Sequence, residues 1–304
     1  MILHAEREII ASMEYGLATR RRSPFCAVLM VALNSLLCAC AAPGQMATNT
    51  PEGRIQDYPP VIEDTLGRRQ AALGAWKKLL AEFQLPEIML DPEPVLSVPR
   101  ALPPEMAGRV ALQATAGAFG ELEAKEALRR FIERASGVLF PSQTNGSAPG
   151  SVGLKDLSLA SFTDDGGVYH AVYRQANYPF PVSGGYGELK LDAGKNGTLL
   201  QVNSRIIPAL DLPTRAEITP QSLVDKMVGR EFSYTNIAGQ PLSYKVTNRS
   251  EVSVKELVVY PKQEGNRITI HLAYPVEAGQ GTTWTVYVDA ITGQEIDVKR
   301  NFAS

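Results

Sequence analysis

The stretch VYHAVYRQANYPFPVSGGYGELKLD, residues 168–192, decides the fold of this chain. From 168 to 175, β-branched and aromatic residues recur with a period of two, which is typical of a half-buried strand. Pro179, Pro181 and a group of glycines then interrupt the pattern, because proline lacks an N–H donor and glycine permits positive φ. Alternation resumes from 186 to 192. These features predict a β-hairpin in an antiparallel sheet, closed by a corner rich in Pro and Gly.

Helical and extended patterns surround this hairpin in a repeated order. One helix is predicted from Phe119 to Ala135, and a second is predicted to begin at Thr219 as N-cap, with Pro220 at its first position, and to end near Gly229. Strand patterns follow each helix, near 154–162, 167–175, 186–192 and 198–206 in the first half and near 242–248, 254–260, 267–276, 282–289 and 294–299 in the second. A helix followed by antiparallel strands is thus predicted twice.

The two halves also resemble each other in sequence. Leu189–Ala193 (LKLDA) and Val286–Ala290 (VYVDA) match at an offset of 97 residues, from Asp192 to Asp289. The same offset carries the first predicted helix onto the second. We therefore predict an α+β fold of two units in tandem, each a helix packed on a curled antiparallel sheet.

The N-terminal region has the pattern of an export signal. Arg20–Arg22 precede an apolar run, 24–33, which is shorter than the ~20 residues needed to span a bilayer. Leu37–Cys40 (LCAC) resembles the cleavage motif of bacterial lipoproteins, and this resemblance implies cleavage before Cys40 and attachment of acyl chains there. A membrane-spanning anchor and a free, buried cysteine are the weaker alternatives. Residues 1–39 are therefore predicted to be a lipoprotein signal peptide.

The location follows from the same resemblance. A lipidated Cys40 would hold the exported protein on the bacterial cell envelope, so a membrane is an expected partner through the lipid anchor. Ala41 after the cysteine resembles lipoproteins that are sent on to the outer membrane, and it implies a folded part that faces the periplasm.

A tether and a connector follow the signal. Residues 40–63 are rich in Ala, Pro, Thr and Gly without an apolar period, which is typical of a flexible linker. The segment 64–118 is predicted to begin with an amphipathic helix, with Asp64 as N-cap. Its apolar side is predicted to carry Leu66, Leu73, Trp76, Leu80 and Phe83. Prolines exclude a helix from 86 to 104. Three acidic residues of this connector are expected to be solvated: Asp91, Glu93 and Glu105.

Composition and residue types limit the functions that this chain can have. The formal net charge is −2 and no basic run occurs beyond the N-terminal region, so we expect no nucleic-acid partner. All three cysteines lie at or before Cys40, which excludes a cysteine metal site in the rest of the chain. His170 and His271 lie in predicted strands without the ligand spacing of a zinc site. Since no Gly-x-Ser-x-Gly motif occurs either, we predict no catalytic residue, no metal and no cofactor.

Several short motifs resemble the propeptide of the thermolysin and fungalysin peptidases. In the first half they are Tyr173–Gln175, Phe180–Val182, Gly184–Gly185 and Leu189–Asp192. Downstream, Leu257–Pro261, Leu272–Val276 and Trp284–Gly293 are similar to the PepSY module that follows this propeptide in the same family. The resemblance covers residues 120–300 and implies two tandem cystatin-like α+β modules, a propeptide-like one at 119–212 and a PepSY-like one at 213–304.

The resemblance also implies a function. In that family the region assists folding of the attached enzyme and inhibits it, yet the His-Glu-x-x-His zinc helix of the peptidase does not occur in this sequence. We therefore expect a membrane-anchored, non-enzymatic module that binds an exported protein, in particular a metallopeptidase, as an inhibitor or folding chaperone in trans. The alternative is a structural or envelope-assembly lipoprotein without a peptidase partner.

The corner of the central hairpin is the predicted contact surface. It combines aromatic rings with a guanidinium group, as interface anchors often do. The candidate protein-binding residues are Tyr173, Arg174, Tyr178, Phe180 and Tyr186. The sequence leaves open the alternative that these rings pack the hairpin against the first helix.

Overall fold

The structure is a computed structural model that describes residues 58–112, 119–141, 152–235, 239–279 and 284–301. These residues belong to one structural unit, Pro51–Ser304. The predicted signal peptide, Cys40 and residues 41–57 of the predicted tether lie outside the described residues.

The described residues form α-helices and antiparallel strands, which confirms the predicted α+β class. In chain order the elements are β1 (Val61–Glu63), α1 (Leu66–Glu82), β2 (Val110–Ala111), α2 (Glu121–Arg134), α3 (Ser136–Leu139), β3 (Leu157–Asp165), β4 (Val168–Gln175), β5 (Glu188–Gly194), β6 (Thr198–Ser204), α4 (Pro220–Met227), β7 (Glu231–Thr235), β8 (Pro241–Lys245), β9 (Val252–Val254), β10 (Val258–Glu264), β11 (Arg267–Ala278), β12 (Trp284–Asp289) and β13 (Glu295–Arg300). Thr219 caps α4 and Pro220 begins it, as predicted.

The first sheet has the strand order β2-β6-β5-β4-β3, with α2 packed on one face. β4 and β5 form the predicted hairpin, in which Tyr173 lies opposite Leu189 and Ala171 opposite Leu191. These residues share one buried cluster with Leu128 of α2, and α1 belongs to the same core through its contacts with α3. A leucine that is fully buried in this way stabilises the fold by about 1.5–3 kcal/mol.

The second sheet is centred on β11. β9 and β10 pair with one side of this strand, while β12 and β1 pair with the other, and β13 pairs with β12. Helix α4 packs against β9 and β11. The hairpin of β7 and β8 packs on the same core, where Phe232 and Tyr244 stack on Trp284 with ring centroids 4.8 and 5.3 Å away.

The corner at residues 176–187 joins the two sheets. Two backbone hydrogen bonds connect it to strand β10. Val259 N–H donates to Pro181 C=O, and Ser183 N–H donates to Val259 C=O, each with a donor–acceptor distance of 2.9 Å. A third buried cluster lies at this junction and consists of Ile62, Val95, Leu96, Val98, Tyr178, Tyr186, Ile207, Val259, Ile268 and Ile270. Residues from both sheets therefore share this core.

Gly187 allows the corner to close. Its φ is +72°, and a Cβ placed there would lie 2.6 Å from the Cβ of Val182. Since real Cβ atoms do not approach so closely, the corner requires glycine at this position.

The N-cap of helix α1 lies one residue later than predicted. Thr65 caps it, and its hydroxyl oxygen accepts a hydrogen bond from Arg68 N–H at 3.3 Å. Asp64, the predicted N-cap, instead pairs with the guanidinium of Arg69. A hydroxyl and a carboxylate are both good caps, so the sequence alone did not separate the two neighbours.

The buried side of α1 also differs from the prediction. Leu66 and Leu73 are exposed, and the buried residues of the helix are Ala72, Trp76, Leu79 and Leu80. The helix packs closely on α3, where a Cβ built on Gly137 would lie 3.3 Å from that of Ala75. Its buried side is thus set by contacts with distant segments, and the two leucines lie outside it.

Two segments that were expected to be solvated belong to the core. Part of the predicted tether is strand β1, and Ile62 there is 1% exposed. In the Pro-rich connector, the Glu93 carboxylate is buried, accepts a hydrogen bond from Leu96 N–H and pairs with Arg100. A buried carboxylate is stable only when it is paired and hydrogen-bonded. β1 has only three residues and prolines interrupt the connector, so neither segment has a hydrophobic period that predicts its burial.

Strand β3 contains a β-bulge at Ala160. Leu159 lies opposite Tyr173 and Phe162 lies opposite Ala171, so residues three apart on β3 face residues two apart on β4. The extra residue keeps both apolar side chains of β3 on the face toward α2.

Gln175 is a polar residue on the buried face of β4. Its side-chain amide donates to Ile207 C=O at 2.7 Å, and its oxygen accepts from Ile207 N–H at 3.1 Å. We expect Gln175→Leu to lower the free energy of unfolding by about 2–4 kcal/mol, because both backbone groups of Ile207 would stay buried without partners. Denaturant unfolding of the purified protein measures this change. The control Gln221→Leu, on the exposed side of α4, should cost less than about 0.5 kcal/mol; equal effects of the two substitutions would contradict the assignment.

Candidate binding site

The aromatic residues of the corner are largely buried. Tyr173, Tyr178 and Tyr186 are each less than a tenth exposed, Phe180 is half-buried, and Arg174 is exposed. The predicted surface of five residues is therefore corrected. The rings of Tyr178 and Tyr186 cannot reach a partner that docks on this structure, and Tyr173 reaches the surface only at a separate groove, where it is one of the lining residues. Only Arg174 and part of Phe180 remain accessible at this place.

Hydrogen bonds fix two of these rings in the interior. The hydroxyl of Tyr178 donates to Pro208 C=O and accepts from Leu210 N–H at 3.2 Å. The hydroxyl of Tyr186 donates to the side-chain oxygen of Gln263 on β10 at 3.0 Å. These rings hold the corner to the rest of the protein, and burial raises the pKa of Tyr178. These two rings pack within the protein, but their neighbours belong to the junction with the second sheet and not to the first predicted helix. Tyr173 is the candidate ring that shares a buried cluster with this helix, α2.

An open groove of about 400 Å³ lies between α2 and β3. Leu122 of α2 is 77% exposed and Leu159 of β3 is 41% exposed, and both line it. The other lining residues are Lys125, Glu126, Arg129, Leu154, Leu157 and Tyr173. Four leucines thus form one concave apolar surface, and exposed apolar patches of this kind mark interaction sites.

A larger hollow of about 790 Å³ lies between the end of α1, β2 and α2. It is bounded by Leu112 and Phe119, which flank a segment outside the described residues. The groove beside β3, in contrast, has four of its eight lining residues on α2 and three on β3 and β4. Regular elements therefore position most of the groove.

Among the five candidate residues, Tyr173 of β4 lines this groove. It is 6% exposed and lines the groove, and in the described part of the chain its hydroxyl has no hydrogen-bond partner. Burial raises the pKa of Tyr173, an effect that the positive charge of Arg129 opposes. The hydroxyl is therefore protonated at neutral pH and is able to donate a hydrogen bond to a ligand.

The charged residues of the groove wall are paired along α2. Arg129 contacts Glu126 at 2.8 Å and Glu133 at 2.6 Å, and Lys125 pairs with Glu121. Hydrogen bonds from Arg129 and Arg130 lower the pKa of Glu126 to about 2, so this carboxylate stays ionised. The groove consequently presents apolar surface between charges that already neutralise each other.

Each half also contains a His–Asp pair. His170 Nδ1 lies 2.8 Å from Asp192 Oδ1 on the first sheet, and His271 Nδ1 lies 2.7 Å from Asp289 Oδ2 on the second. The two histidines lie in different sheets and do not converge on one site. Within the described ranges, no group of three or more His, Cys, Asp or Glu residues has the geometry to hold a metal ion.

Asp289 connects the ends of the described chain. Its carboxylate accepts hydrogen bonds from the Tyr58 hydroxyl at 2.9 Å and from the N–H groups of Ile291 and Thr292 at 2.9 and 2.8 Å. Burial favours the neutral acid, but the hydrogen bonds from His271, from these two amides and from Tyr58 together lower the pKa of Asp289. The network fastens the residues before β1 to the turn after β12, beside an open polar pocket of about 250 Å³.

No helix among the described residues is long and apolar enough to cross a membrane. Cys40, the predicted lipidation site, lies outside the described residues.

Comparisons with known proteins found little similarity. No protein-family model matches the chain, and no curated protein matches it. Among solved structures, the C-terminal domain of YpeB from Bacillus megaterium is similar with a TM-score of 0.27 and 13% sequence identity. This similarity covers 48% of the present chain and 57% of that structure. It is too weak to define a fold, an activity or a partner.

The Asp289 network makes stability depend on pH. The pKa of Asp289 in the folded protein lies below its unfolded value of about 3.9. The stabilisation by the ionised carboxylate is therefore complete above about pH 3.9 and is lost as the pH falls through the folded-state pKa. We expect Asp289→Asn to lower the free energy of unfolding at pH 7 by about 1–3 kcal/mol. The same variant should lose less stability than the wild type when the pH falls below about 4.

Thermal unfolding followed by circular dichroism from pH 7 to pH 3 measures both effects. Asp192→Asn is the matched control, because it breaks the half-exposed pair with His170 and should lower the melting temperature less at pH 7. If Asp289→Asn were no less stable than the wild type at pH 7, the network would not have the proposed role.

Proposed function

We propose that this chain is a non-catalytic protein-binding module that is held at a bacterial cell envelope by a lipid on Cys40. The observation that carries the proposal is the groove between α2 and β3. It is lined by four leucines and by the Tyr173 hydroxyl, which has no hydrogen-bond partner within the described ranges. β3 is also the last strand of the first sheet. A free strand edge beside an apolar groove is a surface that proteins use to bind one another.

The partner that we propose is an exported peptidase, a metallopeptidase in particular. Support comes from the motifs within 173–192 and 257–293, which resemble a peptidase propeptide and its PepSY module. The two helix-on-sheet layers are compatible with tandem cystatin-like modules at 119–212 and 213–304. The chain would act in trans, as an inhibitor or as a folding chaperone of the peptidase.

Site-specific photocrosslinking tests this function. We expect a photoreactive residue at position 122 of the full chain, expressed in the cells that produce it, to capture an exported peptidase, because Leu122 lies at the mouth of the groove. Mass spectrometry identifies the captured protein. The purified chain should then slow that peptidase or raise its refolding yield.

The matched control is a photoreactive residue at position 66. Leu66 is 71% exposed, compared with 77% for Leu122, but it lies at the start of α1 and not in the groove. It should not capture the peptidase. Recovery of envelope scaffold proteins alone from position 122 would overturn the peptidase proposal and favour the structural lipoprotein.

Fractionation of cells tests the anchor. We expect Cys40→Ser to move the protein from the membrane fraction to the soluble fraction, since each buried CH₂ of an acyl chain contributes about 0.8 kcal/mol to membrane binding. Cys38→Ser, two residues earlier in the same motif, is the matched control and should stay in the membrane fraction. Retention of the Cys40→Ser variant in membranes would contradict lipidation at this cysteine.

A further inference from the structure

We propose that the groove binds an extended segment of its partner as an additional β-strand along β3, with uncharged apolar side chains at alternate positions of that segment. This inference rests on the proposed function and adds the kind of segment that the site accepts. It follows from the backbone of β3, the spacing of its apolar residues, the charge of the groove wall and the hydroxyl of Tyr173.

The backbone of β3 requires an extended ligand. β3 is nine residues long and, among the described residues, pairs only with β4, so within this part of the chain its other edge presents N–H and C=O groups without strand partners. The backbone groups of a helix bond within the helix and cannot pair with such a row, whereas an extended segment pairs with it directly. Asp164 and Asp165 disfavour pairing at one end of the strand, as edge charges do, so the segment would run along Leu157–Phe162.

The side-chain spacing requires alternation in the ligand. The bulge at Ala160 keeps Leu159 and Phe162 on the face toward α2. A strand added at the usual separation of about 4.8 Å directs every second side chain to this same face. There these side chains would cover Leu159 and, across the groove, Leu122 of α2.

The charge of the groove favours uncharged side chains. Arg129 and Lys125 both pair with glutamates of α2, so a charged side chain of the ligand would lose water without gaining a free partner. Apolar side chains lose nothing there and bury the leucines.

Tyr173 supplies the polar contact. Its hydroxyl lies in a largely buried residue on the groove and has no partner among the described residues. The hydroxyl is not among the buried polar atoms without a partner, so it is open at the groove. A carbonyl oxygen of the added segment would accept its hydrogen bond in place of water.

A phage-displayed library of ten-residue peptides is the probe. The library is selected on the full chain, extracted from membranes in mild detergent, and in parallel on Leu159→Asp and on the control Leu66→Asp. Selected peptides are then synthesised with the native backbone and with alternate amide nitrogens methylated, which removes the N–H donors of one strand edge. Dissociation constants are measured by fluorescence anisotropy, and the melting temperature of each variant verifies that it is folded.

We expect enriched peptides in which apolar and polar residues alternate. Leu159→Asp and Leu122→Asp should weaken their binding by about tenfold or more, and Leu66→Asp should have no effect. Tyr173→Phe, which keeps the ring and removes the hydroxyl, should weaken binding by about threefold to tenfold. Methylation of the edge that faces β3 should abolish binding, while methylation of the opposite edge should not.

The inference is overturned if no peptide is enriched, if enriched peptides have a helical period, or if neither of the two methylated forms of a peptide loses binding. Photocrosslinks from position 122 that return only peptides of this chain would also overturn it, because the groove would then have an internal occupant. An exported peptidase captured at position 122 together with a negative peptide result would leave the proposed function intact and reject strand addition. Enrichment of alternating peptides without capture of an exported protein at position 122 would support strand addition and reject the proposed function.

Discussion

Burial of the corner between β4 and β5 is the constraint on which the rest of the structure depends. Its tyrosines lie in an apolar environment only where the first sheet meets strand β10 of the second, and their hydroxyls find partners there in Pro208 C=O and in the side chain of Gln263. The backbone of the corner binds Val259 at the same place. The contact between the corner and β10 thus buries the apolar rings and pairs the backbone groups at one place, so the two sheets share a core.

This contact leaves the β3 edge of the first sheet uncovered in the described part of the chain. The corner and β10 lie beyond one end of the β4–β5 hairpin, and β1 fills the remaining side of β11 next to β12. β3 remains as the last strand of the first sheet, with α2 above it. A long strand edge beside exposed leucines is unfavourable in water, which is a physical reason to expect a partner at this place.

Three polar residues in the interior connect separate segments through specific hydrogen bonds. Gln175 binds both backbone groups of Ile207, and Glu93 binds Leu96 N–H and Arg100. Asp289 connects residues that lie 231 positions apart in the sequence through its hydrogen bond with Tyr58. In each case the desolvation of a polar group is compensated by hydrogen bonds, and the contact joins elements that hydrophobic burial alone would not align.

The sequence by itself determined the local structure: the alternation of β4, the Pro- and Gly-rich corner, the cap of α4 at Thr219 and the α+β class all depend on residues close together in the chain. Tertiary structure decided the burial of Tyr178 and Tyr186, the exposure of Leu66, the pairing of β1 with β11 and the groove beside β3. Periodicity and capping reflect backbone geometry over a few residues. Burial and the freedom of a strand edge depend instead on contacts between distant segments, which no local pattern contains.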